Sequence, residues 1–170
     1  MTKRKRIAWI TGGGTGIGEA GALALAADIR IASRSARMNC AFIKLGLGGC
    51  DIGTSYFLPR LVGVSVASEL ILTGRFIGAE RALMVGLVSE IVEEDMLESA
   101  AAPFIDAMMS ASPVGLRLSK ECLNMSVDAA SIDAVIAMED RNQVLCSRSE
   151  DFKEGIQAFL EKRKPVYTNR

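Results

Sequence analysis

The chain has 170 residues, 49% of them hydrophobic, with 20 basic and 20 acidic side chains that cancel. That composition excludes a disordered chain and leaves no global field to draw it to nucleic acid or an anionic membrane. The longest apolar run, Ala20–Ala27, is far short of the roughly 20 residues that cross a bilayer, so no membrane partner is expected.

The chain opens on a basic lead, Thr2–Arg6, read as solvated rather than as a nucleic-acid patch. Arg6–Thr11 follows as a short apolar run ending in glycines and reads as a buried strand. Its apolar part, Ile7–Ile10, is too short for the hydrophobic segment of a secretory leader, so the cytoplasm is expected. After a Gly-rich turn, Glu19–Ala27 reads as a helix and Ile29–Ala32 as a second strand, giving a β-turn-α-β unit. Phe42–Leu47 reads as another short strand. Gly46, Gly48, Gly49 and Gly53 make the next stretch a loop where backbone approaches a ligand closely.

Beyond Gly63 the pattern becomes helical, with Ala67, Leu70 and Ile71 at i, i+3, i+4 and Gly74 at the C-terminal stop. Ala79–Val85 repeats this before Gly86, and Leu87–Val92 alternates like a strand. Helices are then expected over Asp95–Ala111, Pro113–Met125, Asp128–Cys146 and Asp151–Arg163, with Pro165 as the last stop. An α/β front over residues 1–94 thus leads into a helical region over residues 95–170. Leu97, Ala101, Phe104 and Met108, with Ile132, Val135 and Ile136, form apolar stripes suited to burial between subunits.

The chemistry-bearing residue types are restricted. Cys40, Cys50, Cys122 and Cys146 show no C-x-x-C spacing and the chain has no histidine, so no metal is expected and the thiols read as buried small hydrophobes. Ser-His-Asp and Cys-His hydrolysis are excluded. An acid or base must be a carboxylate, Lys, Tyr or Cys.

Two motif sets follow. Thr11–Gly18, TGGGTGIG, resembles the dinucleotide-binding opening of short-chain dehydrogenases, in which backbone N–H groups meet a pyrophosphate. That family also requires Tyr-x-x-x-Lys. Here Tyr56 is followed by Arg60, with Pro59 arguing against helical spacing, and Tyr167 has no Lys after it. An NAD(P)-binding fragment is therefore the third reading, and no cofactor is expected.

From near Ala22 onward the blocks Asp28–Ala32 (DIRIA), Leu45–Leu47 (LGL), Leu58–Gly63 (LPRLVG), Glu69–Gly74 (ELILTG), Gly86–Val88 (GLV) and Glu154–Pro165 (EGIQAFLEKRKP) resemble the enoyl-CoA hydratase/isomerase, or crotonase, family in the same order. The resemblance implies a partial crotonase-like ββα fold with a helical C-terminal region, lacking the family's N-terminal ββα units. It also implies an acyl-CoA thioester ligand whose carbonyl is polarised by two backbone N–H groups, and a homo-oligomer, trimer or hexamer. One oxyanion donor of the family falls on the Gly18-Glu19 segment, with Glu19 at the donor glycine's place. The two hydratase glutamates fall on Ala22 and Phe42, neither of which transfers a proton. Asp51 stands where some branches carry a catalytic aspartate; a loop aspartate capping local N–H groups is the other reading. Lys162 resembles a lysine that contacts CoA phosphates, or is the cationic last turn of a helix. The expected function is an acyl-CoA-binding protein with impaired or absent hydratase activity; the alternative is a non-catalytic oligomerisation or regulatory subunit.

Overall fold

The structure, a computed structural model, describes residues 24–170. These fall into two compact units divided between Ala101 and Ala102. The expected strand Arg6–Thr11, the glycine turn and most of the helix Glu19–Ala27 lie outside the described residues.

The first unit is built on short strands joined by long excursions. Strand β1 (Ile31–Ser33) pairs in parallel with β4 (Glu90–Val92), with Ile31 opposite Glu90 and Ser33 opposite Val92. A second, antiparallel pair joins β2 (Arg37–Met38) to β3 (Ile77–Gly78). Between them run α1 (Thr54–Thr73) and α2 (Ala79–Met84). A parallel pair needs a crossover, and here that crossover carries α1 and α2. Leu58, Ala67, Leu70 and Ile71 of α1 bury against Ala32, Ile77, Ala82, Leu87 and Val88, so α1 supplies about half of the core.

Arg30 closes this unit. Its half-buried guanidinium donates from Nε to the Leu87 carbonyl at 2.6 Å and from Nη1 to the Ala27 carbonyl. Burial lowers its pKa from the ordinary value, with the Asp28 carboxylate pulling the other way. The strand begins two residues later than the apolar run suggested, because the ladder starts where Arg30 O accepts from Ser89 N–H at 2.7 Å. From α1 to α2, Glu69 takes a bidentate pair from Arg81, at 2.7 and 2.6 Å.

Three expectations are corrected. Phe42–Leu47 is not a strand: Ala41–Leu45 forms a 3-10 helix, ended by Gly46 at φ 77°, and Leu47 N–H returns to Phe42 O at 3.2 Å. Leu58–Val62 is helical, so Pro59 sits within α1 and Tyr56 and Arg60 do stand one helical turn apart, with the Arg60 guanidinium 3.7 Å from the Tyr56 ring centre. The helix Asp128–Cys146 begins only at Ile132, because Ser131 caps it by accepting from Ala134 N–H at 3.3 Å.

Gly63 breaks α1 in two, with φ 77° and ψ 158° that an L side chain rarely adopts. By length and hydropathy the 20 residues Thr54–Thr73 match a bilayer span, which the sequence reading did not note. The break leaves two short helices, each too short to cross about 30 Å of hydrocarbon, and both contribute to the core.

The second unit contains the end of α3 (Leu97–Met109), then α4 (Pro113–Ser126), α5 (Ile132–Ser147) and α6 (Glu150–Leu160). Ser112, Ser131 and Ser149 cap α4, α5 and α6 through hydroxyls that accept backbone N–H groups. Asp151, 2% exposed, accepts from Ser112 Oγ and from the N–H groups of Thr168 and Asn169, which ties the tail to α6. Of the stripe residues, Met108, Ile132 and Ile136 are exposed. A third stripe that sequence reading missed, Phe152, Ile156, Phe159 and Leu160 on α6, is exposed as well. Its spacing, i, i+4, i+7, i+8, was readable.

Gly49 gives a direct test of packing in the first unit. A Cβ there would lie 2.5 Å from the Ile71 carbonyl oxygen, which belongs to the backbone and cannot swing aside. Gly49→Ala is expected to destabilise the chain by about 1–3 kcal/mol, the usual cost of overpacking, read as a lowered urea midpoint; an unchanged midpoint would contradict this packing.

Candidate functional site

The first unit holds a partly open cavity of about 50 Å³. Met38 at the end of β2, Asn39 and Cys40 in the link that follows, and Phe42 in the first turn of the 3-10 helix contribute to its wall; α1 contributes Thr54, Leu58 and Leu70. Leu25, Ile77 and Leu87 complete it. Among the described residues the lining contains no carboxylate, ammonium or guanidinium. Asn39 spends its amide on the Gly74 carbonyl at 3.2 Å. Burial pushes the Cys40 thiol up, with Cys50 adding to the shift, so the cavity wall stays neutral at ordinary pH.

Phe42, which the sequence count puts at a hydratase glutamate's position, therefore faces this cavity. Asp51 does not line it. Its carboxylate is exposed in the loop that enters α1, where Oδ1 accepts from Ile52 N–H at 2.8 Å and its carbonyl accepts from Thr54 N–H at 2.9 Å. Ile52 takes φ 47°, an uncommon conformation that this local capping holds. Asp51 thus performs the capping role, in a loop that leads within one turn to Thr54 of the cavity wall.

Gly18 and Glu19 lie outside the described residues, as does Ala22. Lys162 is in the second unit, past the end of α6, exposed and at φ 56° rather than in a helical last turn. Beside it Arg163 forks onto Glu154, with Nη2 to Oε2 at 2.9 Å, and pairs with Glu161 at 2.6 Å. Among the described residues no cluster of His, Cys, Asp and Glu suits a metal ion. The four cysteines are free, and the expectation that they are buried is corrected: Cys50 is exposed and the other three are partly so, because Cys50 sits in the Gly48–Gly53 loop rather than on a core face.

With this geometry in place, comparison with known proteins decides the family. The enoyl-CoA hydratase/isomerase family model matches residues 3–170. The chain belongs to the enoyl-CoA hydratase/isomerase family. The match runs through Thr11–Gly18, so the dehydrogenase-like reading of that segment is not carried: the whole stretch belongs to a single family match. A Mycobacterium tuberculosis protein named "Probable enoyl-CoA hydratase" is 41% identical over 157 residues, covering 92% of this chain and 55% of that protein. The 1,2-epoxyphenylacetyl-CoA isomerase of Escherichia coli is 36% identical, covering 92% of this chain and 59% of its own length. The crystal structure of an enoyl-CoA hydratase from Bacillus anthracis superposes with a TM-score of 0.84 at 36% identity, over 89% of this chain and 58% of that one. The α/β crotonase-like fold is thereby shown, and the chain spans little more than half the length of the relatives it matches.

The tail beside Lys162 makes a pH test. The Arg163 guanidinium, with Val166 N–H second, lowers the Glu154 carboxyl from 4.5 to about 2. A carboxyl depressed on folding stabilises the fold above its unfolded pKa, and that contribution is lost as pH falls through the folded value. Melting temperature should therefore drop between pH 4.5 and 2, and Glu154→Gln should drop less across that window. Glu69, also lowered to about 2 by Arg81, leaves part of the acid sensitivity in place. Equal slopes for the two proteins would contradict the pairing.

Proposed function

We propose that this chain binds acyl-CoA thioesters, has negligible hydratase activity, and retains at most isomerase-type proton transfer at Asp51. The observation carrying this reading is the neutral cavity: Phe42 forms part of its wall, and the nearest carboxylate in sequence on the α1 side is Asp51. Hydration of a 2-enoyl thioester needs a base to activate water and an acid to protonate the α carbon. A single carboxylate suits a different task. It removes a proton from one carbon, leaves the charge on the thioester oxygen, and returns the same proton to another carbon, which moves the double bond and regenerates the carboxylate.

In this reading the backbone N–H groups of the Gly18-Glu19 segment are oxyanion donors, and Lys162 meets CoA phosphate. The likeness to a 1,2-epoxyphenylacetyl-CoA isomerase supports the isomerase branch. The protein acts in the cytoplasm as a homo-oligomer, trimer or hexamer. The exposed stripe Phe152, Ile156, Phe159 and Leu160 favours one second reading: a non-catalytic subunit that joins complete family members.

Crotonyl-CoA hydration by the purified chain should stay far below the roughly 10 s⁻¹ of an ordinary enzyme. Any 3-enoyl to 2-enoyl isomerisation, measured by conjugated-thioester absorbance, should vanish in Asp51→Asn. Hydration near the ordinary rate, or isomerisation indifferent to Asp51→Asn, would overturn the reading.

A further inference from the structure

The cavity in the first unit also limits which acyl groups would fit. Among the described residues its polar lining consists of Asn39, Cys40 and Thr54, and none of these brings a charge: Asn39 is bonded to Gly74 O and burial keeps the Cys40 thiol protonated. A carboxylate at the far end of an acyl chain would lose its water there and gain no cation, which is among the costliest burials available to a protein. Size restricts the ligand from the other side. A cavity of about 50 Å³ is a few times the roughly 10–15 Å³ that one water needs, which leaves space for about two to four carbons.

Resting on the acyl-CoA reading above, we infer that this cavity receives the acyl group and confines the ligand to short, uncharged chains, with Phe42 setting the limit. Phe42 is the side chain suited to that task. It enters from the 3-10 helix rather than from the packed face of α1, so its truncation extends the cavity while Leu58 and Leu70, both at most 3% exposed, keep the core.

The test is calorimetric titration of the full chain with four non-reacting ligands: CoA, butyryl-CoA, decanoyl-CoA and a six-carbon acyl-CoA ending in a carboxylate. Each buried methylene is worth about fourfold in affinity, so butyryl-CoA should bind at least about tenfold tighter than CoA. Decanoyl-CoA should bind more weakly than butyryl-CoA, and the carboxylated ligand no more tightly than CoA itself. In Phe42→Ala, decanoyl-CoA should gain about tenfold over wild type while CoA is unchanged. The wild-type series decides the matter even if that variant does not fold. Equal affinity for CoA and butyryl-CoA, or for butyryl-CoA and decanoyl-CoA, would overturn this inference and leave the acyl-CoA reading intact. Failure of all four ligands to bind would overturn both.

Discussion

A half-buried guanidinium holds together two stretches of chain that lie 57 positions apart. Arg30 spans from Ala27 to Leu87, and immediately beyond it Ser89 N–H reaches back to Arg30 O, Arg34 N–H reaches to Val92 O, and β1 and β4 pair in parallel. Each bond taken alone is modest, about 1 kcal/mol and somewhat more where a charge is involved. Their effect is topological. The pairing closes a crossover of more than fifty residues, and a loop of that length keeps its shape only if its interior packs. Within it, α1 supplies Leu58, Ala67, Leu70 and Ile71, and the bidentate Glu69–Arg81 pair ties α1 to α2. Leu87, whose carbonyl Arg30 takes, is both core and cavity wall.

On the proposed reading, the same arrangement separates binding from chemistry. The cavity depends on Leu58, Leu70, Ile77 and Leu87, all of which belong to the closed core. Phe42, whose ring carries no transferable proton, forms another part of its wall. Asp51 lies on the loop outside, spending one carboxylate oxygen on Ile52 N–H. On the proposed reading, an apolar recess with no carboxylate among its described lining residues suits recognition of a small acyl group more readily than delivery of both halves of a hydration.

Much of this was legible in the residues. The DIRIA and GLV blocks, read only as a resemblance, turn out to be the two ends of the Arg30 link, and Gly74 ends α1 at φ 59° as its position implied. The three serine caps could have been read from Ser112-Pro113, Ser131 and Ser149, each before an apolar-periodic run; reading the composition alone started the third long helix four residues early. Phe42–Leu47 failed because its apolar run gave a period compatible with a strand, while the left-handed Gly46 decided the conformation. The stretch before Gly63 failed because Pro59 was weighed against a helix that local packing tolerates. The cavity itself had no signature in sequence: its walls come from five separate segments that only the folded chain gathers. The placement of Gly18 and Glu19 lies outside the described residues.

The claim that Arg30 secures the closure of the first unit is tested most directly by amide hydrogen exchange at Ser89 and Arg34, whose N–H groups bond Arg30 O and Val92 O at 2.7 and 2.9 Å. Replacing Arg30 by Ala leaves the backbone able to pair but orphans the Leu87 carbonyl, at a cost of about 1–3 kcal/mol. If the guanidinium is the closing contact, both amides lose roughly 10-fold or more of their protection together in Arg30→Ala. Protection unchanged at both sites would contradict the account, showing that β1 and β4 stay closed without it.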